Sequence, residues 1–288
     1  MNRKRFSINS RFFQKTWFYP FVSVVIAITI CLLTPVATKA IDAGQLLPFL
    51  IQGVQAIELS NISPSQEVDL GKQINKQLMS GQVRLYRNSA VNDYVTQVGR
   101  RLIPNSDRPN LPYTFQIVED ESINAFATLG GFVYVHTGLL KTADNEAQLA
   151  SVLAHEIGHI GGRHVIKQMQ QKALESGLLT AAGLDRNQVV QIGVEVARNL
   201  PRSRQNEFEA DQRGLKTLTR TGYPQSAMVD FMQKLLKKSS SVPSFLSTHP
   251  GTGDRIKALQ SAINDQPRSG SAGLDSSNYQ ANIKALLR

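Results

Sequence analysis

The sequence predicts an α+β fold that is mainly helical, with one small β-sheet. Apolar residues recur at helical spacing in several long stretches, whereas only short runs of β-branched and aromatic residues have the pattern of strands. The most apolar helical stretch lies near the middle of the chain, at about residues 144–160. Of the 288 residues, the roughly 248 that follow a basic leader of 40 residues fit one large domain.

The predicted elements follow in order along the chain. Pro64–Met79 and Ser89–Leu102 have the periodicity of amphipathic helices. Short strands are predicted at 113–118, around Ala125 and around Val133. Further helices are predicted at 43–59 (or an interfacial segment), 144–160, 168–182, 189–200, 206–221 and 224–237, with Ser- and Gly-rich linkers at 239–241 and 264–278 and a flexible C-terminal tail at 266–288.

Residues 1–40 are predicted to be a signal peptide or an N-terminal membrane anchor. A basic start precedes an apolar core from Phe21 to Leu33, which suits a signal peptide. The uncharged stretch from Thr16 to Thr38 is long enough to span a bilayer, so both alternatives stay open. With the basic flank in the cytoplasm, the rest of the chain is predicted to be exported to the periplasm or another extracytoplasmic compartment, with membrane association through this segment possible.

The formal net charge of +10 comes largely from this leader. Six of the 32 Lys and Arg residues lie there, so the remaining 26 face 22 acidic residues. Because no basic patch is interleaved with aromatic residues, the sequence argues against a nucleic-acid partner. The single cysteine, Cys31, lies in the leader, so no cysteine elsewhere can bind a metal ion.

His155, Glu156 and His159 form a His-Glu-x-x-His motif on the central apolar stretch. Residues four apart share one face of a helix, so both imidazoles can bind one metal ion. Glu156 then points toward the open side of that ion, where it can take a proton from water. Burial of these ionisable residues is costly unless something pairs with them, which argues against ordinary core histidines. We predict Asp144 as the N-cap of this helix and Gly161-Gly162 as its end.

A catalytic zinc ion needs a third protein ligand in addition to two histidines. Glu207 and Asp211 share a face of the next polar helix, whereas Glu209 lies roughly 160° away around the helix. We therefore predict Glu207 as the third ligand and Asp211 as an acceptor that orients a ligand histidine. The alternative is a solvated helix face. The predicted cofactor is one Zn²⁺ per chain.

The order of these motifs resembles that of the gluzincin metallopeptidases of the HtpX, BepA, Oma and CAAX prenyl-protease type. The resemblance implies a zincin-type metalloprotease domain at 41–265, with the small sheet bordering the active-site cleft. It also implies that His155, His159 and Glu207 bind zinc and that Glu156 is catalytic. The matching stretches are 124–127, 130–135, the motif helix, 207–211, and Ser247-Thr248-His249-Pro250 with Arg255-Ile256.

Four other residues have less definite predictions. From the sequence alone, His249 is a loop residue before a proline, but the resemblance implies a catalytic place beside the zinc. There it would donate to the oxyanion of the tetrahedral intermediate or occupy the open coordination position in a resting state. His136 and His164 lack partners at ligand spacing and are predicted to be structural. Arg255 either holds a carboxylate near the site or lies at the surface.

The predicted function is that of a zinc-dependent metalloendopeptidase acting on exported or membrane-associated, misfolded proteins. The strand 132–135 either lies along the cleft and pairs with an extended substrate, or is an interior strand without substrate contact. Two other functions stay open. One is an aminopeptidase of the same zinc class, and the other is a chaperone-like binding module whose zinc is structural.

Overall fold

The computed structural model describes residues 58–81, 83–177, 184–199, 202–237, 243–266, 268 and 270–287. The predicted leader and residues 43–57 of the predicted helix or interfacial segment at 43–59 therefore lie outside the described residues, and residues 58–59 are not helical. Within the described part, no helix is both long and apolar enough to cross a membrane. The described residues all belong to one compact unit.

The first two helices have the predicted bounds. Helix α1, Pro64–Met79, begins after Ser63, whose hydroxyl accepts the backbone N–H of Gln66 while the Gln66 side chain accepts that of Ser63. This reciprocal pair satisfies two backbone donors at the helix start. Helix α2, Ser89–Leu102, begins after Asn88, whose side chain accepts the backbone N–H of Val91.

Three strands form one mixed sheet within the described residues. They are β1, Thr114–Val118; β2, Ala125–Ala127; and β3, Phe132–His136. The order is β1-β3-β2, with β3 parallel to β1 and antiparallel to β2. Because β3 is paired on both sides and buried along its whole length, it has no free edge for a substrate. Of the two alternatives for this strand, the interior strand is correct.

The motif helix lies directly after the sheet. A short helix, α3 (Thr137–Thr142), leads to α4 (Glu146–Gly161), and residues 146–160 of α4 are all buried. The N-cap is Asn145 and not the predicted Asp144, because the Asn145 side chain accepts the backbone N–H of Gln148. The side chain of Asp144 instead accepts the side-chain amide of Gln148. The helix ends at the predicted glycine pair.

The remaining helices surround α4 and the sheet. Four of them correspond to predicted helices with shifted boundaries, because helix ends depend on capping contacts that periodicity does not reveal. These four are α5, His164–Glu175; α6, Arg186–Asn199; α7, Arg204–Thr221; and α8, Ser226–Lys237. Three more helices follow: α9, Ser244–Thr248; α10, Thr252–Asp265; and α11, Ser276–Asn282.

Helix α4 packs most extensively against α7, and glycine makes this close approach possible. A Cβ atom at Gly158 would lie 2.5 Å from the backbone oxygen of Ala210. A Cβ atom at Gly214 would lie 3.0 Å from the backbone nitrogen of His155. The first distance is too short for a real Cβ contact and the second is unusually tight, so the two glycines help to set how near the two helices lie. Side chains that face each other across this crossing, such as His155 of α4 and Asp211 of α7, therefore lie within hydrogen-bond distance.

The end of the chain contradicts the prediction of a flexible tail at 266–288. Tyr279, Ile283 and Leu286 are buried in the same hydrophobic cluster as the apolar residues of α4. The hydroxyl of Tyr279 donates to the backbone oxygen of Leu140 at 2.7 Å. The Ser- and Gly-rich composition before α11 concealed that these three residues recur at helical spacing and form an apolar face.

Candidate metal centre

Helices α4 and α7 and the residue after α9 bring four buried side chains together. They are His155, His159, Glu207 and His249. One potential ligand atom from each lies within 4.8 Å of the others. The cluster thus contains the three predicted metal ligands and the predicted catalytic histidine, which come from three separate parts of the chain.

The spacing of the donor atoms fits a tetrahedral metal ion. The Nε2 atoms of His155 and His159 are 3.0 Å apart, and His249 Nδ1 lies 3.1 Å from His155 Nε2. Oε1 of Glu207 lies 3.2 Å from His159 Nε2, and Oε2 lies 3.1 Å from His249 Nδ1 and 3.4 Å from His155 Nε2. Ligand atoms around a tetrahedral zinc ion are separated by about 3.3 Å, given metal–ligand distances of about 2.0 Å. The residues present therefore fit an ion of this size.

Glu156 lies beside the cluster without a hydrogen bond. It is fully buried, yet neither carboxylate oxygen has a hydrogen-bond partner among the described residues. Its charged neighbours are His249, with Nε2 at 3.4 Å, and Arg202, with Nη2 at 3.5 Å. A buried carboxylate without hydrogen bonds is costly. Such a group therefore needs an explanation beyond fold stability, and reaction chemistry supplies one.

Asp211 and Arg255 support the cluster from the side of α7 and α10. The Oδ1 atom of Asp211 lies 2.9 Å from Nδ1 of His155. Arg255 is buried and binds both Asp211 oxygens at 2.7 Å, and its Nη1 lies 2.8 Å from Glu207. Of the two alternatives for Arg255, the carboxylate-holding role is the one observed. The Nδ1–H of His155 can donate to Asp211, which leaves Nε2 free for a metal ion.

Burial and neighbouring charges shift the pKa values of these groups in opposite directions. Burial alone would raise the pKa of Glu207, but His249, His159 and the hydrogen bond from His155 hold it well below its usual range. Burial alone would lower the pKa of His155, but Asp211 and Glu207 raise it to about 9. Burial lowers the pKa of His159 and of His249. The raised pKa of His155 means that a second proton binds this imidazole, at Nε2, the atom that would bind a metal ion. Metal binding must therefore release that proton.

Two buried residues near the cluster were not predicted to belong to the site. His164 was predicted to be structural, but its Nδ1 lies 2.7 Å from Nδ1 of His159. Its spacing gave no signal, because the chain turns at Arg163, where φ is 53°, and helical periodicity does not continue. Arg202 lies just before α7, with its Nη1 3.1 Å from Nε2 of His249. Nothing in its sequence context distinguishes it from a solvated arginine.

Two residues that were predicted not to bind a metal ion lie outside the cluster. His136, at the end of β3, has its Nδ1 2.8 Å from the hydroxyl of Ser122. Glu209 pairs with Arg213 and lies 3.2 Å from Nε2 of His164. The separation of Glu207 from Glu209 around α7 therefore follows the helical geometry that predicted it.

A buried helix bearing His-Glu-x-x-His, a carboxylate from a second helix and a small mixed sheet together define a zincin-like metalloprotease domain. The chain belongs to peptidase family M48, whose model matches residues 89–263. The family implies a metal ion, and the buried cluster of histidines and glutamate is the group that can bind it.

Several curated proteins are similar to this chain. The beta-barrel assembly-enhancing protease of Escherichia coli strain K12 is 33% identical over 221 residues, which cover 71% of this chain and 45% of that protein. The protein of the same name from Yersinia pestis is 31% identical over 251 residues, covering 81% and 51%. The mitochondrial metalloendopeptidase OMA1 of Schizosaccharomyces pombe is 31% identical over 173 residues, covering 58% and 51%. The chain spans about half the length of these relatives.

Proposed function

We propose that this chain is a zinc-dependent metalloendopeptidase in which His155, His159 and Glu207 bind one Zn²⁺. This proposal rests on the close spacing of their donor atoms beside the buried carboxylate of Glu156, which accepts no hydrogen bond from the described residues. Two imidazoles and one carboxylate are a ligand set of catalytic zinc. The names of the similar proteins, a protease and a metalloendopeptidase, support the same reaction class.

Glu156 is the proposed general base. When bound, zinc supplies a Lewis acid that polarises the scissile carbonyl and makes water more acidic. One oxygen of Glu156 takes a proton from the attacking water, and the carboxylate then delivers it to the leaving amine. Because neither oxygen is engaged in a hydrogen bond within the described residues, no bond must break first. The guanidinium of Arg202 lies beside this base, with Nη2 3.5 Å from Oε2.

His249 is the proposed fourth ligand of a resting state. Its Nδ1 lies 3.1 Å from both His155 Nε2 and Glu207 Oε2, which is the separation expected of atoms that share one tetrahedral ion. The imidazole thus takes the position that a substrate carbonyl requires. Turnover then requires His249 to leave, and a displaced imidazole can donate to the oxyanion.

The substrate is proposed to bind as an extended strand along β2. Asn124 and Thr128 form backbone hydrogen bonds with β3. Because hydrogen bonding alternates along an antiparallel strand, Ala125 and Ala127 direct their backbone groups away from β3. The Ala125 oxygen lies 3.4 Å from Nε2 of His249, so this edge faces the cluster. Strand β2 is buried and the Ala125 N–H donates to the Asn124 side chain at 3.0 Å, so a substrate strand has to displace that contact. Main-chain pairing tolerates varied side chains, which suits unfolded or misfolded protein substrates.

The location and the natural substrates are proposed from the sequence. Residues 1–40 act as a signal peptide or membrane anchor, residues 41–265 are the peptidase domain, and the substrates are misfolded proteins outside the cytoplasm or at a membrane. Two similar proteins are named for enhancing beta-barrel assembly, which supports substrates that form β-barrels.

One observation favours a second function. His249 closes the ligand set with a fourth protein donor, and closed four-ligand sets are typical of structural zinc. The chain would then be a chaperone-like binding module. This alternative leaves the buried, unbonded Glu156 without a role, so we rank it second.

The deciding experiment compares zinc content and casein digestion for the wild type, Glu156→Gln and His249→Ala. We expect bound zinc in all three, digestion by the wild type, reduced digestion by His249→Ala because the oxyanion loses a donor, and none by Glu156→Gln. Digestion by Glu156→Gln at the wild-type rate would disprove the base assignment. Bound zinc with suppressed aggregation and no hydrolysis in any variant would establish the structural alternative. Acetylated and free peptides, compared side by side, separate an endopeptidase from an aminopeptidase.

A further inference from the structure

The two proposed ligand histidines on α4 are supported in different ways. The Nδ1 atom of His155 contacts a carboxylate directly, at 2.9 Å from Asp211. The Nδ1 atom of His159 instead faces a second imidazole, with His164 Nδ1 at 2.7 Å. All three histidines are buried, so this contact is shielded from water.

The contact between the two Nδ1 atoms fixes where the protons lie. At 2.7 Å one nitrogen must donate and the other must accept. If His159 binds a metal ion through Nε2, its own proton must lie on Nδ1, and His164 Nδ1 must be the acceptor. His164 then carries its proton on Nε2, which lies 3.2 Å from a carboxylate oxygen of Glu209. This N–H does not point directly at the oxygen, so the contact is mainly electrostatic.

Glu209 is held in place on the other side of His164. Its Oε1 accepts two hydrogen bonds from Arg213, at 2.9 Å and 2.7 Å. Its Oε2 is left to face His164 and Lys167, the latter at 3.5 Å. Helix α7 thus supplies a carboxylate behind each histidine of α4: Asp211 directly behind His155, and Glu209 behind His159 through His164.

The chain between α4 and α5 is shaped to return His164 to this position. Arg163 adopts a left-handed conformation, which turns the chain sharply after the glycine pair. A Cβ atom at Gly162 would lie 2.2 Å from Nε2 of His164, so only glycine leaves room for the imidazole. Local backbone strain of this kind is retained where the surrounding structure requires it.

We propose that His164 is a positioning residue that, together with Glu209, holds His159 in the tautomer whose Nε2 is free for the metal ion. This inference rests on the proposed metal site. We expect the hydrogen bond that His164 Nδ1 accepts from His159 to raise the affinity for the metal ion, in addition to any effect of the His164 ring on packing.

Two substitutions of His164 separate the acceptor from the ring. His164→Asn keeps an amide oxygen near the position of Nδ1, whereas His164→Gln carries its amide toward the position of Nε2 and removes the acceptor. Both remove a buried ring of the same size, so the thermal unfolding of the metal-free proteins controls for packing. Zinc affinity is measured by competition with a chromophoric chelator, a readout that does not depend on turnover.

We expect His164→Gln to weaken zinc binding about 10- to 100-fold, the usual effect of losing a partner of a ligand histidine. His164→Asn should stay within about threefold of the wild type, by the same comparison. Equal affinities for the two variants, whether reduced or unchanged, would overturn the proposal. A wild type that fails to bind zinc would instead disprove the proposed function, so the two failures are distinguishable.

A second pair of variants tests the proposal if either His164 variant fails to fold. Glu209→Gln should weaken zinc binding severalfold, because it removes the charge behind His164. Asp107→Asn is its matched control, since Asp107 binds Arg213 on the side away from Glu209. Equal zinc affinities for these two variants would contradict the proposal that Glu209 acts on His159 through His164. In zinc-loaded wild type, nitrogen NMR should find the His164 proton on Nε2, and a proton on Nδ1 would also contradict it.

Discussion

The two ends of α4 each carry a buried glutamate, and their surroundings differ sharply. Glu146, in the first turn, accepts hydrogen bonds from the hydroxyls of Tyr94 and Tyr223 at 2.9 Å and from Arg101 at 2.7 Å. Glu156, near the other end, accepts none within the described residues. The same residue type in the same helix is therefore fully satisfied at one end and unsatisfied at the other.

This difference separates anchoring from reactivity. The Glu146 end is also held by the C-terminal segment, because the backbone N–H of Ala147 donates to Gly273 at 2.9 Å. A satisfied carboxylate at a helix N-terminus stabilises the fold through hydrogen bonds and the helix dipole. An unsatisfied buried carboxylate lowers stability but is free to accept a proton. We infer that α4 is fixed at its first turn so that Glu156 can remain unbonded.

The largest expected effect comes from exchanging each glutamate for glutamine and measuring turnover. Glu156→Gln should lower kcat/KM on a peptide substrate by about 10²- to 10⁴-fold, because the amide cannot take a proton. Glu146→Gln should leave kcat/KM within about threefold of the wild type, since that group lies outside the reacting atoms. Zinc content, measured in both variants, should equal that of the wild type. Equal losses of turnover in the two variants would refute the division of roles.

Gly158→Ala moves the reactive end of α4 without touching the anchored end. The added Cβ would lie 2.5 Å from the Ala210 oxygen, so α7 must shift away from α4. We expect a loss of about 1–3 kcal/mol in the free energy of unfolding, together with weaker zinc binding, because Glu207 moves with α7. Gly253→Ala is the control, since its Cβ meets nothing within 4 Å. Wild-type zinc affinity in Gly158→Ala would show that the helix crossing does not set the ligand spacing.

Stability should respond in the opposite order to turnover. Glu146→Gln exchanges a charged acceptor of three hydrogen bonds for a neutral one, so the metal-free protein should lose about 1–2 kcal/mol in the free energy of unfolding. Glu156→Gln breaks no hydrogen bond among the described residues and removes a buried charge, so its free energy of unfolding should stay at or above that of the wild type. Urea denaturation of the three metal-free proteins measures both values. A larger loss for Glu156→Gln than for Glu146→Gln would contradict the comparison.

Much of this arrangement could be predicted because it is encoded locally. The bounds of α1 and α2 follow from apolar periodicity and from the caps Ser63 and Asn88. The choice of Glu207 over Glu209 follows from helical geometry, since two residues along a helix point to nearly opposite sides. These features need no knowledge of what packs against the helix.

The features that could not be predicted depend on contacts between distant parts of the chain. The interior position of β3 depends on the order of strands in the sheet, and the residues of β3 alone do not determine that order. Arg202 reaches the site only because the start of α7 lies beside His249. His164 reaches His159 through a left-handed turn that interrupts the periodicity. Each depends on tertiary structure, where local patterns no longer apply.

The smallest effect on stability is expected for an exposed glutamate, which serves as a control for the two buried ones. Glu121 pairs with Lys141 at 2.7 Å, but its side chain is 74% exposed. Exposed ion pairs contribute at most about 1 kcal/mol, so Glu121→Gln should change the free energy of unfolding by about 0.5 kcal/mol or less and leave turnover unchanged. The measurement is the same urea denaturation used for the other two variants. If Glu121→Gln cost as much as Glu146→Gln, the loss would come from the change of charge itself, and burial with hydrogen bonding would not explain why the anchored end of α4 is stable.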